Sequence, residues 1–149
     1  MTVKKLDNTN ILIIGWNERA MKLIEIITAI SNVKINIIDC SVRELPYSSE
    51  SVEYIYGNPM FDETLKRAGI KDTNITFITA DRHSSETVSD SKSVISLLAI
   101  KSLNPSVFTI IEILSDSSIE NAKRAGADEV IYTSEIFSNT IINSLSGNS

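Results

Sequence analysis

The chain has 149 residues, enough for a single domain with its own core, and a net charge of −5. An acidic chain with no Lys/Arg cluster argues against a nucleic-acid partner, and a lone cysteine, Cys40, excludes an internal disulfide and a cysteine-based zinc site, as a reducing cytoplasmic setting would have it. No apolar run nears the ~18–20 residues that cross a bilayer, and Met1 to Asn8 lacks the apolar stretch of a signal peptide.

Residues 1–9 read as an N-terminal extension, 10–145 as one domain and 146–149 as a tail. Asn10 to Gly15 reads as a buried strand ending in a tight turn. Glu18 to Ile30 follows as a helix, with Ala20, Leu23, Ile24, Ile27 and Ile30 at helical spacing. Val33 to Asp39 is a second strand. Cys40 to Ser51 is too short and too broken for a crossover helix and reads as a loop. Val52 to Tyr56 is a strand stopped by Gly57-Asn58-Pro59, and Met60 to Ala68 a helix stopped by Gly69. Asn74 to Thr79 is the fourth strand. Asp81 to Asp90 is polar, a long surface loop or a frayed helix start. Ser91 to Leu103 is a helix with Val94, Leu97 and Leu98 inward, ended by Asn104-Pro105. Val107 to Leu114 is a strand, Ser117 to Ala125 a helix closed by Gly126, Glu129 to Tyr132 a strand and Ser134 to Leu145 a last helix. Six strands with helices between them predict an α/β fold, a Rossmann-like doubly wound parallel sheet in the order 3-2-1-4-5-6, with a helix beyond its last strand.

The first strand-turn-helix-strand unit has the layout of a dinucleotide site. Its turn, however, is Gly15-Trp16-Asn17-Glu18-Arg19-Ala20 in place of G-x-G-x-x-G. The second glycine of that motif lets the backbone approach a pyrophosphate, and Asn17 puts a side chain there. Glu18 adds a negative charge at the helix N-terminus, where a phosphate would sit. Gly15, Asn17 and Asp39, the acid after the second strand, therefore define either a degenerate nucleotide crevice or a scaffold that has lost its ligand. Asn17 also suits a helix cap.

Asp81 and Glu112 follow the fourth strand and end the fifth, neighbours in the predicted order. With Asp90 and loop carbonyls they make a candidate site for a hard cation such as Ca²⁺, or they are solvated acids with a helix cap at Asp90. His83 lies in a polar stretch without a matched partner and reads as a surface histidine. No acid/base or nucleophile arrangement stands out, and no chain remains for a substrate domain, so no enzyme is expected. On the last helix, Ile136, Phe137, Ile141, Ile142 and Leu145 form an apolar surface suited to a second copy of the chain.

Gly15-Trp16-Asn17-Glu18, Tyr56-Gly57-Asn58-Pro59, Leu65-Lys66-Arg67-Ala68-Gly69-Ile70 and Lys123 to Ile131 (Lys-Arg-Ala-Gly-Ala-Asp-Glu-Val-Ile) together resemble the RCK domain, the regulator of potassium conductance, over about Asn10 to Leu145. The resemblance is to the N-terminal lobe attached to prokaryotic ligand-gated potassium channels. It implies a gating domain without catalytic activity that couples ligand binding to subunit rearrangement and pore opening. It implies homodimers through the last helix as a crossover helix, an octameric gating ring, a potassium channel pore domain as partner, and a cytoplasmic place held at the membrane by that pore. Members with an intact glycine turn bind NAD or adenine nucleotides. The turn from Gly15 to Glu18 is similar instead to the calcium-gated branch, where Asp81 and Glu112 match two carboxylates that hold Ca²⁺ and Leu114 replaces a third. A nucleotide-binding regulatory subunit of a potassium transporter is the alternative, and a small NAD-dependent oxidoreductase a more distant one.

Overall fold

A computed structural model describes residues 6–46, 49–133 and 141–147. The chain runs β1 (Asn10–Ile14), α1 (Glu18–Ile30), β2 (Lys34–Asp39), β3 (Val52–Tyr56), α2 (Asp62–Arg67), β4 (Ile75–Ile78), α3 (Glu86–Leu103), β5 (Phe108–Ile113), α4 (Ile119–Arg124) and β6 (Glu129–Tyr132). All strand pairings are parallel, in the order β3-β2-β1-β4-β5-β6 that the alternation predicts. Central β1 pairs with β2 on one side, Ile13 opposite Ile37, and with β4 on the other, Ile13 opposite Phe77.

Successive strand residues point to opposite faces. Ile11 and Ile13 therefore pack with Ala20, Ile24 and Ile27 of α1, while Leu12 and Ile14 pack with Leu65 of α2, Leu97 and Ile100 of α3 and Ala122 of α4. Covering both faces is why these strands read as continuous apolar runs rather than alternating ones. Each fully buried Leu or Ile contributes about 1.5–3 kcal/mol. Gly69 sits in the left-handed region at φ 74° and closes α2, with its N–H donating to Lys66 O (3.1 Å). The described part of the β2–β3 connection holds no helix, as its composition predicts.

The largest departure is at α3, which begins at Glu86 rather than Ser91. Ser85 caps it, its hydroxyl accepting from Val88 N (3.3 Å). The expected loop or helix cap at Asp90 is instead a buried second turn of the helix. Asp90 accepts from Leu114 N (2.8 Å), Ser115 N (2.9 Å) and Ser115 Oγ (2.7 Å), and so satisfies the backbone where β5 ends. The buried stripe of α3 is Ser89, Ser93, Ser96, Leu97 and Ile100, which turns Leu98, expected inward, out to solvent. A hydropathy pattern cannot register a face built from serines. Helix α2 is shorter than expected, six residues, since Pro59 and Met60 belong to the preceding turn. Residues 141–145 are helical, with Ile141, Ile142 and Leu145 exposed. Ile136 and Phe137 lie outside the described residues.

Candidate ligand crevice

A cavity of about 590 Å³ opens over the C-terminal ends of β1, β2 and β4. Strand order reverses there, and such crevices are where open parallel sheets bind ligands. Its size lies within the ~300–1,000 Å³ usual for small-molecule sites. Gly15, Asn17 and Asp39 all line it, so the three residues of the sequence-derived crevice do come together.

Gly15 takes φ 100°, and a Cβ there would collide with Thr79 Oγ1. Both observations require glycine, because Gly15 N donates to Ile38 O (2.8 Å) while Thr79 Oγ1 bonds Ile14 O (2.5 Å) just behind the turn. Asn17 caps α1, its Oδ1 accepting from Ala20 N (3.0 Å), and its Nδ2 donates to Thr79 Oγ1 (2.8 Å). The side chain that replaces the second glycine is thus tied to both neighbouring elements. Asp39 accepts from Ser41 Oγ beside the exposed Cys40, at the end of β2.

Glu112 is nearly buried and fully engaged. Its Oε1 accepts from Arg19 Nε (2.8 Å) and Ala80 N (2.8 Å), its Oε2 from Arg82 Nη2 (3.1 Å) and Thr133 Oγ1 (3.1 Å). Arg19 also donates to Ala80 O (2.6 Å). Burial pushes the Glu112 carboxyl up, but the Ala80 N–H, the Arg19 hydrogen bond and charge, and the Thr133 hydroxyl outweigh it and hold the carboxyl below its usual value. Asp81 is exposed and serves its own turn, accepting from His83 N (2.9 Å) and Ser84 Oγ (2.8 Å). Those two bonds, with the Lys92 charge, hold it low as well. Asp81 lines the crevice and Glu112 does not, although its partners Arg19, Ala80 and Arg82 do. A cation at Glu112 would have to compete with donors that already fill both oxygens, an arginine on each. Among the described residues no group of three or more His, Cys, Asp or Glu is arranged to hold a metal ion. His83 lies on the crevice rim with its side chain exposed.

Sequence reasoning missed Arg19, Arg82 and Thr133 around Glu112, and Lys92 and Ser93 on the α3 wall. Arg19 and Arg82 carried a signal, one in the turn after Gly15 and one next to Asp81. Thr133 and Ser93 carried none, since their partners and surroundings lie far away in sequence.

The chain is a Rossmann-like domain with an open crevice at its strand ends. Residues 11–133 match the TrkA-N domain, and the chain belongs to that family. It is 42% identical over 134 residues to the "Putative potassium channel protein YugO" of Bacillus subtilis, covering 89% of this chain and 40% of YugO. It is 29% identical over 100 residues to the calcium-gated potassium channel TvoK of Thermoplasma volcanium, covering 65% of this chain and 29% of TvoK. The chain thus spans less than half the length of these relatives. The GsuK channel bound to NAD shares the fold, with a TM-score of 0.76 at 22% identity over 93% of this chain and 23% of that one. These relatives bear out the resemblance to the RCK domain of potassium channels. Among the described residues no helix is long and apolar enough to cross a membrane.

Proposed function

We propose that this chain is the ligand-sensing gating domain of a potassium channel, acting on the cytosolic side of the membrane and without catalysis of its own. The observation that carries it is the 42% identity to YugO over nearly the whole of this domain. The crevice at the strand ends is the sensing site, and a nucleotide is the ligand its form favours. Asp39 stands where a ribose would be held, and a solved relative of this fold is described as bound to NAD. The name of TvoK speaks for Ca²⁺, and the two arginines on Glu112 speak against the Asp81–Glu112 pair as its site.

Glu112 supplies a route from ligand to subunit. It joins the start of α1, the end of β4 and Arg82 on the crevice rim to Thr133, just beyond β6. A ligand that draws on Arg19 or Arg82 changes what holds Thr133. Ile136, Phe137, Ile141, Ile142 and Leu145 are the surface we assign to a second copy in a dimer or ring. A ligand opens a pore only by binding one arrangement more tightly, and about 1–3 kcal/mol per site is typical of such coupling.

The test is a thermal melt of the metal-stripped chain against Ca²⁺, NADH, ATP and ADP, with size exclusion in parallel. A ligand at ~100 times its Kd adds ~2.7 kcal/mol, a rise of roughly 5–10 °C in a domain of this size. A nucleotide shift is expected. A shift with Ca²⁺ alone makes the ligand a metal ion, and no shift with any of them ends the sensing proposal. Potassium flux through YugO carrying this chain in place of its matching segment then tests gating, and flux indifferent to the stabilising ligand would refute it.

A further inference from the structure

The two walls of the crevice differ in what they leave unused. On the α1 side the turn is closed on itself by Asn17 and Thr79, and Glu18 sets a negative charge at the helix start. That end of the helix is a poor seat for an anion. Across the cavity, α3 lines the opposite wall with Ser89, Lys92, Ser93 and Ser96. The three serines lie four and then three positions apart, on one helix face, and each is more than nine-tenths buried.

Two of them are spoken for. Ser89 Oγ accepts from Asp81 N (3.0 Å), and Ser96 Oγ donates to Lys92 O (2.9 Å). Ser93 is only 6% exposed, lines the cavity, and its hydroxyl bonds no described residue. The Ser93 hydroxyl is open to the cavity rather than sealed in the core, and so is free to bond a ligand that enters it. Lys92 forms none of the ion pairs found among the described residues, and its charge acts on the nearby Asp81. Arg82 completes the rim, with one nitrogen on Glu112 (3.1 Å) out of the five N–H donors a guanidinium carries.

We propose that Lys92, Ser93 and Arg82 form an anion subsite that takes the phosphate of a nucleotide, in place of the α1 N-terminus. This rests on the reading of the crevice as the ligand site. An ammonium, a guanidinium and a hydroxyl together suit a phosphate, which accepts from several directions at once. Asp81 on the same rim stays bonded to His83 N and Ser84 Oγ, and Lys92, which makes no ion pair with it, is left for the phosphate. Asp39 and Ser41, at the end of β2, are left for the ribose hydroxyls.

Calorimetry with ADP, and with phosphate-free adenosine, tests this on the unaltered chain, Lys92→Gln, Ser93→Ala and Glu18→Gln, each first shown to melt cooperatively. The unaltered chain should bind ADP more tightly than adenosine. Lys92→Gln should weaken ADP by roughly tenfold or more and Ser93→Ala by several-fold, with adenosine unchanged in both. Unchanged ADP affinity in both variants overturns the subsite. So does a Glu18→Gln variant that binds ADP roughly tenfold tighter, which would return the phosphate to α1. Equal affinity for ADP and adenosine removes the subsite but keeps the crevice, whereas no binding of either by the unaltered chain removes both.

Discussion

Asp81 and Glu112 stand at the ends of neighbouring strands, and the fold uses them in opposite ways. Asp81 is exposed and bonds residues two and three positions along its own turn. Glu112 is buried and bonds Arg19, Ala80, Arg82 and Thr133, partners 21 to 93 residues away. The first carboxylate shapes a loop. The second ties four separate parts of the chain together, its own strand among them. Proximity to a crevice therefore says less about a carboxylate's role than the sequence distance of its partners.

The comparison is sharpest in stability. Glu112→Ala removes the acceptor of Ala80 N and Thr133 Oγ1 and of two arginines that solvent still reaches, and should cost about 2–3 kcal/mol, a fall in Tm of roughly 5–10 °C. A fall of only a degree or two would mean that the ion pairs add little. Next in size is the dependence on pH. Both carboxyls lie below their usual values in the folded chain. The stability they add is therefore complete above the unfolded values near ~4 and is lost as pH falls through the lowered folded ones. Melts between neutral and strongly acid pH should show a steep loss in the unaltered chain and a shallower one in Glu112→Gln, and parallel curves would contradict a charged Glu112. Smallest is Asp81→Ala, which removes two bonds of a solvent-exposed turn and should cost about 1 kcal/mol or less by denaturant unfolding.

Much of the fold is legible along the chain. Continuous runs such as Ile11-Leu12-Ile13-Ile14 mark strands buried on two faces, and the strand-helix alternation leads to the observed order because parallel crossovers are right-handed. Gly15, Asn17 and Asp39 could be brought to one crevice because they border consecutive elements of that order. The first turns of α3 were not legible, since Ser85 to Asp90 is polar and its burial depends on Leu114 and Ser115.

Local sequence by itself determined the strands and the residues of the Gly15 turn, because hydropathy period, glycine conformation and helix caps act over a few residues, and the alternation of strands and helices with right-handed crossovers then led to the sheet order. Tertiary structure alone decided what the polar groups do. A carboxylate or hydroxyl takes its role from the donors that the fold brings to it, and for Glu112 and Ser93 those surroundings are assembled only when β4, α3 and β5 lie side by side.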